Sequence, residues 1–291
     1  MRFAFIQTHA RLWRITTMCR VLEVSRAGYY AWRARPLCAR VQTDQVLTDK
    51  IKEIQDKVEY RYGSPRVRVE LRALGFPVGK HRVARLMREA GVLATAPRPR
   101  FQVTTDSAHE EPIAPNLVAR QFDVTDHPQV NRTWVGDITY IPTGESWLYL
   151  AVLLDLASRR VVGWALGTRL TQELTLRALR MALLHRGARG VVHHSDRGVQ
   201  YASRAYQQLL ASAGCTPSMS RVGDCWDNAV AESFFATVTK ELLRHRTFPT
   251  RDAASRALVE FIEIWYNRQR RHSTLGYLTP VEYETQMLRL N

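Results

Sequence analysis

The amino-acid sequence predicts an α/β domain with a mixed five-stranded sheet and helices, preceded by an all-α region. Apolar residues recur at helical spacing through about the first 95 residues, and the runs typical of strands begin near residue 134. Between these regions the chain is rich in Pro, Thr and acidic side chains, a composition typical of linkers. The patterns divide the chain into segments at 1–45, 46–95, 96–115, 116–245 and 246–291.

The excess positive charge belongs almost entirely to the first third of the chain. The formal net charge is +15, yet residues 1–105 carry 21 basic and 8 acidic side chains, whereas residues 106–291 carry 21 and 19. A basic module joined to a near-neutral module favours nucleic-acid anchoring by the first. An anionic membrane fits less well because turn signals interrupt the basic segments, and no apolar run reaches the roughly 18–20 residues that cross a bilayer.

Residues 15–35 predict two short helices joined by a tight turn. Met18 and Leu22 have helical spacing, Ser25 is a favourable N-cap for the second helix, and Pro36 ends it. The pattern fits half of a helix-turn-helix, and it fits equally well a basic hairpin that packs on a neighbour.

Residues 46–95 predict three helices with a short turn before the last. The first lies near 48–58, Pro65 favours the start of the second, Gly75 can end it, and the third spans 80–90. This arrangement fits a helix-turn-helix, although an ordinary bundle with a solvated basic face is the alternative. In a helix-turn-helix the start of the last helix reaches base edges, and the predicted DNA-contacting side chains are Lys80, His81, Arg82 and Arg85.

The pattern after the linker changes from helical to strand-like. Predicted strands lie at 134–142, 147–155, 160–166, 191–194 and 217–220. Predicted helices lie at 171–185, 203–213, 227–243 and 251–266, and a polar, basic stretch follows the last of them. Three antiparallel strands followed by a helix and further α/β units is the order of a ribonuclease H-like fold.

Three carboxylates occupy matching places in these elements. Asp137 lies in the first strand, Asp196 follows the fourth, and Glu232 lies about one turn into the long helix, which Asp227 or Asn228 can cap. Three carboxylates brought together repel unless cations neutralise them, and hard cations such as Mg²⁺ prefer oxygen ligands. The pattern therefore predicts two Mg²⁺ ions, replaceable by Mn²⁺, that stabilise the attacking and leaving oxygens of a displacement at phosphorus.

Other polar and aromatic residues nearby allow different interpretations. The His194-x-Asp196 pair would need a distant third ligand to bind iron, so we interpret His194 as supporting the site. Asp155 ends the second strand and is interpreted as a turn residue. Trp134 and Trp226 can stack on bases, but a Trp beside the start of an element is more often part of the core.

The sequence resembles the integrase-like DDE transposases of the insertion-sequence-three family, specifically their second-frame protein. The resemblance rests on WVGDITY at 134–140, HHSDRGVQY at 193–201 and WDNAVAESFF at 226–235. It extends to CRVL at 19–22, SRAGYYAW at 25–32, YN at 266–267 and RHSTLGY at 271–277, and so covers nearly the whole chain. It implies cleavage and joining of DNA at the ends of a bacterial insertion sequence, with Asp137, Asp196 and Glu232 as catalytic metal ligands.

The family resemblance also implies partners and a location. It implies binding to double-stranded DNA, a companion first-frame protein often fused by frameshifting, and a homo-multimer assembled on DNA. The scattered cysteines form no CxxC pair and fit the reducing bacterial cytoplasm that the family implies, at the nucleoid.

The chain departs from the family pattern at one position. Such transposases usually carry a basic residue seven positions after the catalytic Glu, but here Thr239 stands there and Lys240 follows. Eight residues turn away from the Glu232 face of an α-helix by about 80°, although the long stem of Lys240 still lets it reach a phosphate.

Two other functions stay open on the sequence alone. Another ribonuclease H-like nuclease would cut without joining, and a catalytically silent DNA-binding regulator would do neither.

Overall fold

The computed structural model describes residues 1–35, 38–92, 94, 112–187, 189–221 and 228–290. The chain divides into two compact units, Met1–Leu93 and Ala94–Asn291. Most of the predicted linker at 96–115, together with Trp226 and Asp227, lies outside the described residues. No helix in the described part of the chain is long and apolar enough to cross a membrane.

The first unit begins with three short helices around a small core of their own. The helices are α1 (Arg2–His9), α2 (Ile15–Val21) and α3 (Arg26–Ala34). Ser25 caps α3 as predicted, because its Oγ accepts a hydrogen bond from the Gly28 amide at 2.9 Å. Helix α1 was not predicted; only Ile6 within it is fully buried, so it carries little apolar periodicity. The shared core consists of Ile6, Met18, Cys19 and Tyr29.

The second half of this unit contains the three helices predicted at 46–95. They are α4 (Ala39–Lys57), α5 (Ser64–Ala73) and α6 (Lys80–Glu89), with α4 starting well before the predicted position. Gly75 follows α5 with φ +87°, the left-handed conformation expected of a helix-ending glycine. Val83, Leu86 and Met87 of α6, which recur at helical spacing, are buried.

A five-stranded sheet forms the centre of the second unit. Its strands are β1 (Thr133–Pro142), β2 (Trp147–Asp155), β3 (Val161–Gly167), β4 (Val192–Ser195) and β5 (Thr216–Met219). The order is β3-β2-β1-β4-β5, with the first three strands antiparallel and β4 and β5 parallel to β1. This mixed sheet confirms the predicted fold class.

Helices cover the sheet and continue beyond it. They are α7 (Gln172–Arg186), α8 (Val199–Ala202), α9 (Arg204–Ser212) and α10 (Ala229–Val238), which continues as a π-helix at Thr239–Leu243. Gly163 of β3 lets α7 pack closely, because a Cβ there would lie 2.4 Å from the Ala178 carbonyl oxygen. A sequence pattern alone cannot show the π turn, since it is a wider helical turn rather than a break.

The C-terminal segment is folded on the sheet, and the prediction that a basic tail follows a final helix is wrong. Helix α11 (Arg251–Glu260) continues as a π-helix at Phe261–Gln269, and a further helix, α12 (Pro280–Leu290), follows. A reciprocal capping box starts α12: the Thr279 amide donates to Glu282 Oε2, and the Glu282 amide donates to Thr279 Oγ1.

A buried ion pair ties this segment to the helix that extends α10. The Arg270 guanidinium donates to both carboxylate oxygens of Glu241 at 2.9–3.0 Å, and the two side chains are 8% and 4% exposed. The Trp265 indole N–H donates to the same carboxylate at 3.0 Å. Asn267 bonds the backbone N and O of Val161 in β3. The segment therefore joins the edge of the sheet to the end of the α10 helix.

We expect Arg270→Ala to lower the free energy of unfolding by about 3–5 kcal/mol, because it leaves a buried carboxylate without its partner. Arg256→Ala is a matched control, since Arg256 pairs with Asp252 where both side chains are more than two-thirds exposed. Its effect should stay below about 1 kcal/mol. Urea unfolding of the full chain measures both, and equal small losses would show that the buried pair contributes no more than the exposed one.

Candidate active site

The parallel pairing of β1 with β4 places two of the three predicted acids side by side. Gly136 is opposite Ser195 in the register of these strands. Asp137 is one residue beyond Gly136, and Asp196 is one residue beyond Ser195 at the end of β4. Neighbouring strands lie about 4.8 Å apart, so the backbone itself brings these two carboxylates together at one edge of the strand pair.

The electrostatics of Asp137 show that all three acids are near one another. Burial raises the pKa of Asp137 well above its ordinary value, and the negative charges of Asp196 and Glu232 raise it further. The Ile138 amide, which donates to Asp137 Oδ1 at 2.7 Å, acts in the opposite direction. Burial also raises the pKa of Glu232. The other two acids therefore disfavour the ionised form of Asp137.

The start of α10 lies against β1 and brings Glu232 to this edge. Asn228 is buried, and its Nδ2 donates to the Gly136 carbonyl oxygen at 3.5 Å. Asn228 occupies the N-cap position of α10, but its side chain makes no capping hydrogen bond, and the alternative cap, Asp227, lies outside the described residues. Ala231 and Phe234 are buried beneath the helix, whereas Glu232 itself is exposed.

Among the residues that the structure describes, no three His, Cys, Asp or Glu side chains are placed as ready ligands of one ion. Asp196 is instead held by its own loop, because its Oδ1 accepts the Gly198 amide at 3.0 Å.

A layer of aromatic side chains, not foreseen from the sequence, lies under the acid pair. A Cβ on Gly136 would lie 3.0 Å from His193 Nε2 and 3.3 Å from a ring carbon of Tyr201, so a larger residue would force these side chains to shift by a few tenths of an ångström. Tyr206 hydrogen-bonds His193 at 2.9 Å, and burial lowers the pKa of His193 to about 3, which keeps the ring neutral.

Tyr201 couples this layer to the carboxylates. Burial raises the pKa of its hydroxyl well above the usual value, and Tyr206, Asp137 and Asp196 raise it further. The hydroxyl has no hydrogen-bond partner among the described residues. The sequence run HHSDRGVQY includes Tyr201. The run alone does not show that the Tyr201 side chain lies beneath Asp137 and Asp196.

The remaining predicted residues near the sheet have structural contacts. His194 is fully buried and bonds Ser218 at 2.9 Å and Ser220 at 3.3 Å, so it links β4 to β5 and the residue that follows β5. The Asp155 carboxylate accepts the amides of Asn131 and Ser158, which confirms that Asp155 is a turn residue. Trp134 is fully buried in the core.

In the first unit, two of the predicted DNA-contacting side chains, Arg82 and Arg85, are paired with one acid. Each donates to a different oxygen of Asp44 at 2.7 Å, and both arginines are only about one-third exposed. Arg85 and Arg82 together hold the pKa of Asp44 below its usual value. Lys80 and His81 at the start of α6 are exposed, as predicted.

Family models match most of the chain. Residues 127–225 and 213–280 each match an integrase core domain, and residues 42–100 match an HTH-like domain.

Curated relatives match along almost the whole length. The chain is 43% identical to the insertion element IS600 uncharacterized 31 kDa protein of Shigella sonnei, over 91% of this chain and 97% of the relative. It is 40% identical to the transposase InsF for insertion sequence IS3A of Escherichia coli, over 99% of this chain and 100% of the relative.

A solved structure offers a more distant likeness. A chain of the simian T-cell lymphotropic virus intasome in complex with PP2A regulatory subunit B56 gamma aligns with a TM-score of 0.44, at 16% identity, over 80% of this chain and 74% of that one. The assignment therefore depends on the relatives and the family models. Because full-length similarity to IS3 transposases accompanies an integrase core and an HTH-like domain, the chain belongs to the insertion-sequence-three family and is a DDE transposase, a polynucleotidyl transferase that acts in insertion-sequence transposition.

Proposed function

We propose that Asp137, Asp196 and Glu232 are the catalytic carboxylates of this transposase. The observation that carries the proposal is the register of β1 with β4, which aligns the two aspartates, together with the electrostatic influence of Glu232 on Asp137. Three acids in the same small region have an unfavourable mutual energy, a usual feature of functional rather than structural sites.

The donor set fits divalent metal. Carboxylate oxygens are the ligands that Mg²⁺ and Mn²⁺ prefer, and Asn228 adds a buried Oδ1 that has no hydrogen-bond partner among the described residues. Two Mg²⁺ ions held by these carboxylates would supply the positive charge that stabilises the attacking and leaving oxygens of phosphodiester displacement. The protein's own part is to fix the acids: β1 and β4 position the aspartates, and α10 positions Glu232.

The reaction we propose is DNA cleavage and strand transfer at the ends of a bacterial insertion sequence, in which water attacks in cleavage and the released 3′-hydroxyl is the nucleophile in strand transfer. Double-stranded DNA, both element ends and target, is the substrate. A companion first-frame protein and a homo-multimer on paired ends complete the proposed assembly, which acts at the nucleoid in the bacterial cytoplasm. The curated relatives described above are bacterial, which supports this setting.

We propose that Lys240 contacts a phosphate near the acids. The Arg244 amide bonds to the Thr239 carbonyl five residues back, so the helix widens into a π turn at this point. A wider turn rotates each residue by less, which reduces the offset of Lys240 from the Glu232 face. Lys240 is exposed, so its long stem is available to substrate.

Duplex DNA is held, in this proposal, by the first unit. Lys80 and His81 are the exposed side chains at the start of α6, where a helix-turn-helix reaches base edges. Arg82 and Arg85 have a different role here, because their bonds to Asp44 join α6 to α4.

Replacing Asp137 or Asp196 by Asn, or Glu232 by Gln, should reduce both cleavage and joining by at least about a hundredfold, because each variant loses a metal-binding oxygen anion. Glu173→Gln is the matched control, since Glu173 is an exposed acid of the same unit. Labelled element ends and target DNA report cleavage and joining, and a filter assay reports DNA binding, which should be unchanged.

The other possible outcomes of that assay would change the catalytic set or the proposed function. Near-normal joining by any one variant removes that residue from the catalytic set. Wild-type protein that cuts but never joins would be a nuclease, and protein that only binds would be a regulator.

Metal binding should be detectable in the melting temperature, without any measurement of catalysis. Mn²⁺ or Mg²⁺ should raise the melting temperature of the wild-type chain, because binding to the folded state stabilises it, and should do so much less for Asp137→Asn. Activity should require either ion, and Ca²⁺, which tolerates irregular coordination, should support it poorly. Full activity in excess chelator would contradict the metal assignment.

A fragment spanning residues 1–105 should bind duplex DNA alone, with affinity that falls steeply as salt rises, because it carries the excess positive charge. A fragment spanning 106–291 should bind weakly. Lys80→Ala should weaken binding at unchanged melting temperature and reduce the salt slope by about 1 unit. Arg82→Ala should instead lower the melting temperature, since Asp44 loses a partner. Equal binding by the two fragments in anisotropy titrations would contradict this division.

A further inference from the structure

A short turn closed by two backbone hydrogen bonds connects α2 to α3. The Val24 amide bonds the Cys19 carbonyl at 3.0 Å and the Glu23 amide bonds the Arg20 carbonyl at 3.3 Å, while Glu23 has φ +52°. These two bonds and the left-handed residue form a Schellman motif. Ser25 then caps α3, so only three residues, 22–24, lie between the end of α2 and the cap of α3. A turn of three or four residues is the length found in helix-turn-helix motifs.

The same helix-ending Schellman motif occurs in the HTH-like region. After α5 the Phe76 amide bonds the Leu71 carbonyl at 2.9 Å, the Gly75 amide bonds the Arg72 carbonyl at 3.0 Å, and Gly75 has φ +87°. The family model for that region covers residues 42–100 and leaves α1–α3 unassigned. Helices α2 and α3 therefore repeat a local geometry that the assigned motif uses, with a shorter turn.

Helix α1 covers one face of α3 and leaves the opposite face open. Tyr29 is fully buried and donates to Gln7 Oε1 at 2.6 Å, and the ring of Trp32 lies 5.8 Å from the ring of Phe3. Gly28 permits this approach, because a Cβ there would lie 3.3 Å from the tip of Phe3. The exposed face of α3 consists of Arg26, Ala27, Tyr30 and Arg33.

This face belongs to a strongly basic surface. Residues 1–35 contain seven arginines and one acidic residue, Glu23. All seven arginines are exposed, and the structure gives none of them a carboxylate partner within the described part of the chain. The guanidinium of Arg33 lies 5.8 Å from the centre of the Tyr30 ring, so these two side chains are neighbours on the open face. Exposed guanidinium groups without acidic partners are available for phosphates and for the edges of guanine bases.

We propose that α2 and α3 form a second helix-turn-helix, with α3 in the major groove of duplex DNA. Arg26, Ala27 and Tyr30 face the base edges, and Arg33 and Arg20 contact phosphates. The inference rests on the proposed DNA-anchoring function of the first unit and adds a second site to it. Each chain would then contact DNA through two helix pairs.

The first test measures binding of the full-length chain to two duplexes of equal length, one carrying the element's terminal repeat and one of scrambled sequence. Arg26→Ala should weaken binding to the terminal-repeat duplex by roughly tenfold or more. Arg26→Lys should keep binding to the scrambled duplex but lose much of the discrimination, because lysine keeps the charge without the bidentate fork. Arg2→Ala, an exposed arginine on α1, is the control and should change affinity by less than about twofold.

The outcomes separate this inference from the proposed function. If the Arg26 variants keep wild-type affinity for both duplexes while Lys80→Ala loses it, the second helix-turn-helix is refuted and the proposed function stands. If all these variants keep wild-type affinity, DNA anchoring by the first unit is refuted as well. Melting temperatures of the variants should match the wild type, since the Arg26 side chain is exposed.

A photo-crosslink identifies the occupant of the face directly. A photoreactive benzoylphenylalanine in place of Tyr30 should form a covalent adduct with the terminal-repeat duplex, whereas the same group in place of the exposed Leu12 should form little. An adduct between two protein chains at position 30, in place of a DNA adduct, would overturn the proposal and assign the face to a second copy of this chain.

Discussion

The register of two parallel strands determines where the charges of the catalytic unit lie. Because β1 pairs with β4 in the register of Gly136 with Ser195, Asp137 within β1 and Asp196 just after β4 lie side by side. Two like charges roughly 5 Å apart repel by about 3 kcal/mol at an effective dielectric constant near 20. The strand ladder withstands this because β1 is paired with β2 along its whole length and with β4 on its other side, and each backbone bond contributes about 1 kcal/mol. The hydrogen bonds of the sheet therefore outweigh the repulsion between Asp137 and Asp196 and hold both acids in place.

The third acid needs a different kind of support, because Glu232 stands on a helix rather than in the sheet. One end of that helix is held where Asn228 bonds the Gly136 carbonyl, one residue before Asp137. The other end is held where Glu241 meets Arg270. The C-terminal segment that supplies Arg270 is itself fixed at Asn267 on β3, and at Glu284, which pairs with Arg160 and Arg186. The position of Glu232 thus depends on residues almost at the end of the chain, and the second match to an integrase core, at 213–280, covers the Glu241–Arg270 pair.

Features determined by local sequence could be predicted, and features determined by distant partners could not. The strands, the burial of Val83, Leu86 and Met87, and the Ser25 cap follow from local periodicity and side-chain chemistry. The pairing of Arg82 and Arg85 with Asp44 does not, because an arginine that binds a phosphate and one that binds a distant carboxylate look identical in sequence. The start of α12 is a different case: the Thr279-x-x-Glu282 spacing is a capping-box signature and was available to sequence reasoning.

The pairing of Arg82 and Arg85 also changes how the charge of the first unit should be understood. A net charge counts every arginine equally, but a guanidinium already bonded to a carboxylate releases few counterions when DNA approaches. The arginines of α1–α3 have no such carboxylate among the described residues, whereas Arg82 and Arg85 of α6 share Asp44. Part of the phosphate-binding capacity of the first unit therefore lies N-terminal to the matched HTH-like region. The second unit is nearly neutral overall and gathers carboxylates at its site, so it attracts a polyanion weakly by itself. If the first unit holds DNA as proposed, it raises the local concentration of phosphodiester bonds at the acids, and the second unit can keep the negative charge that the proposed metal binding requires.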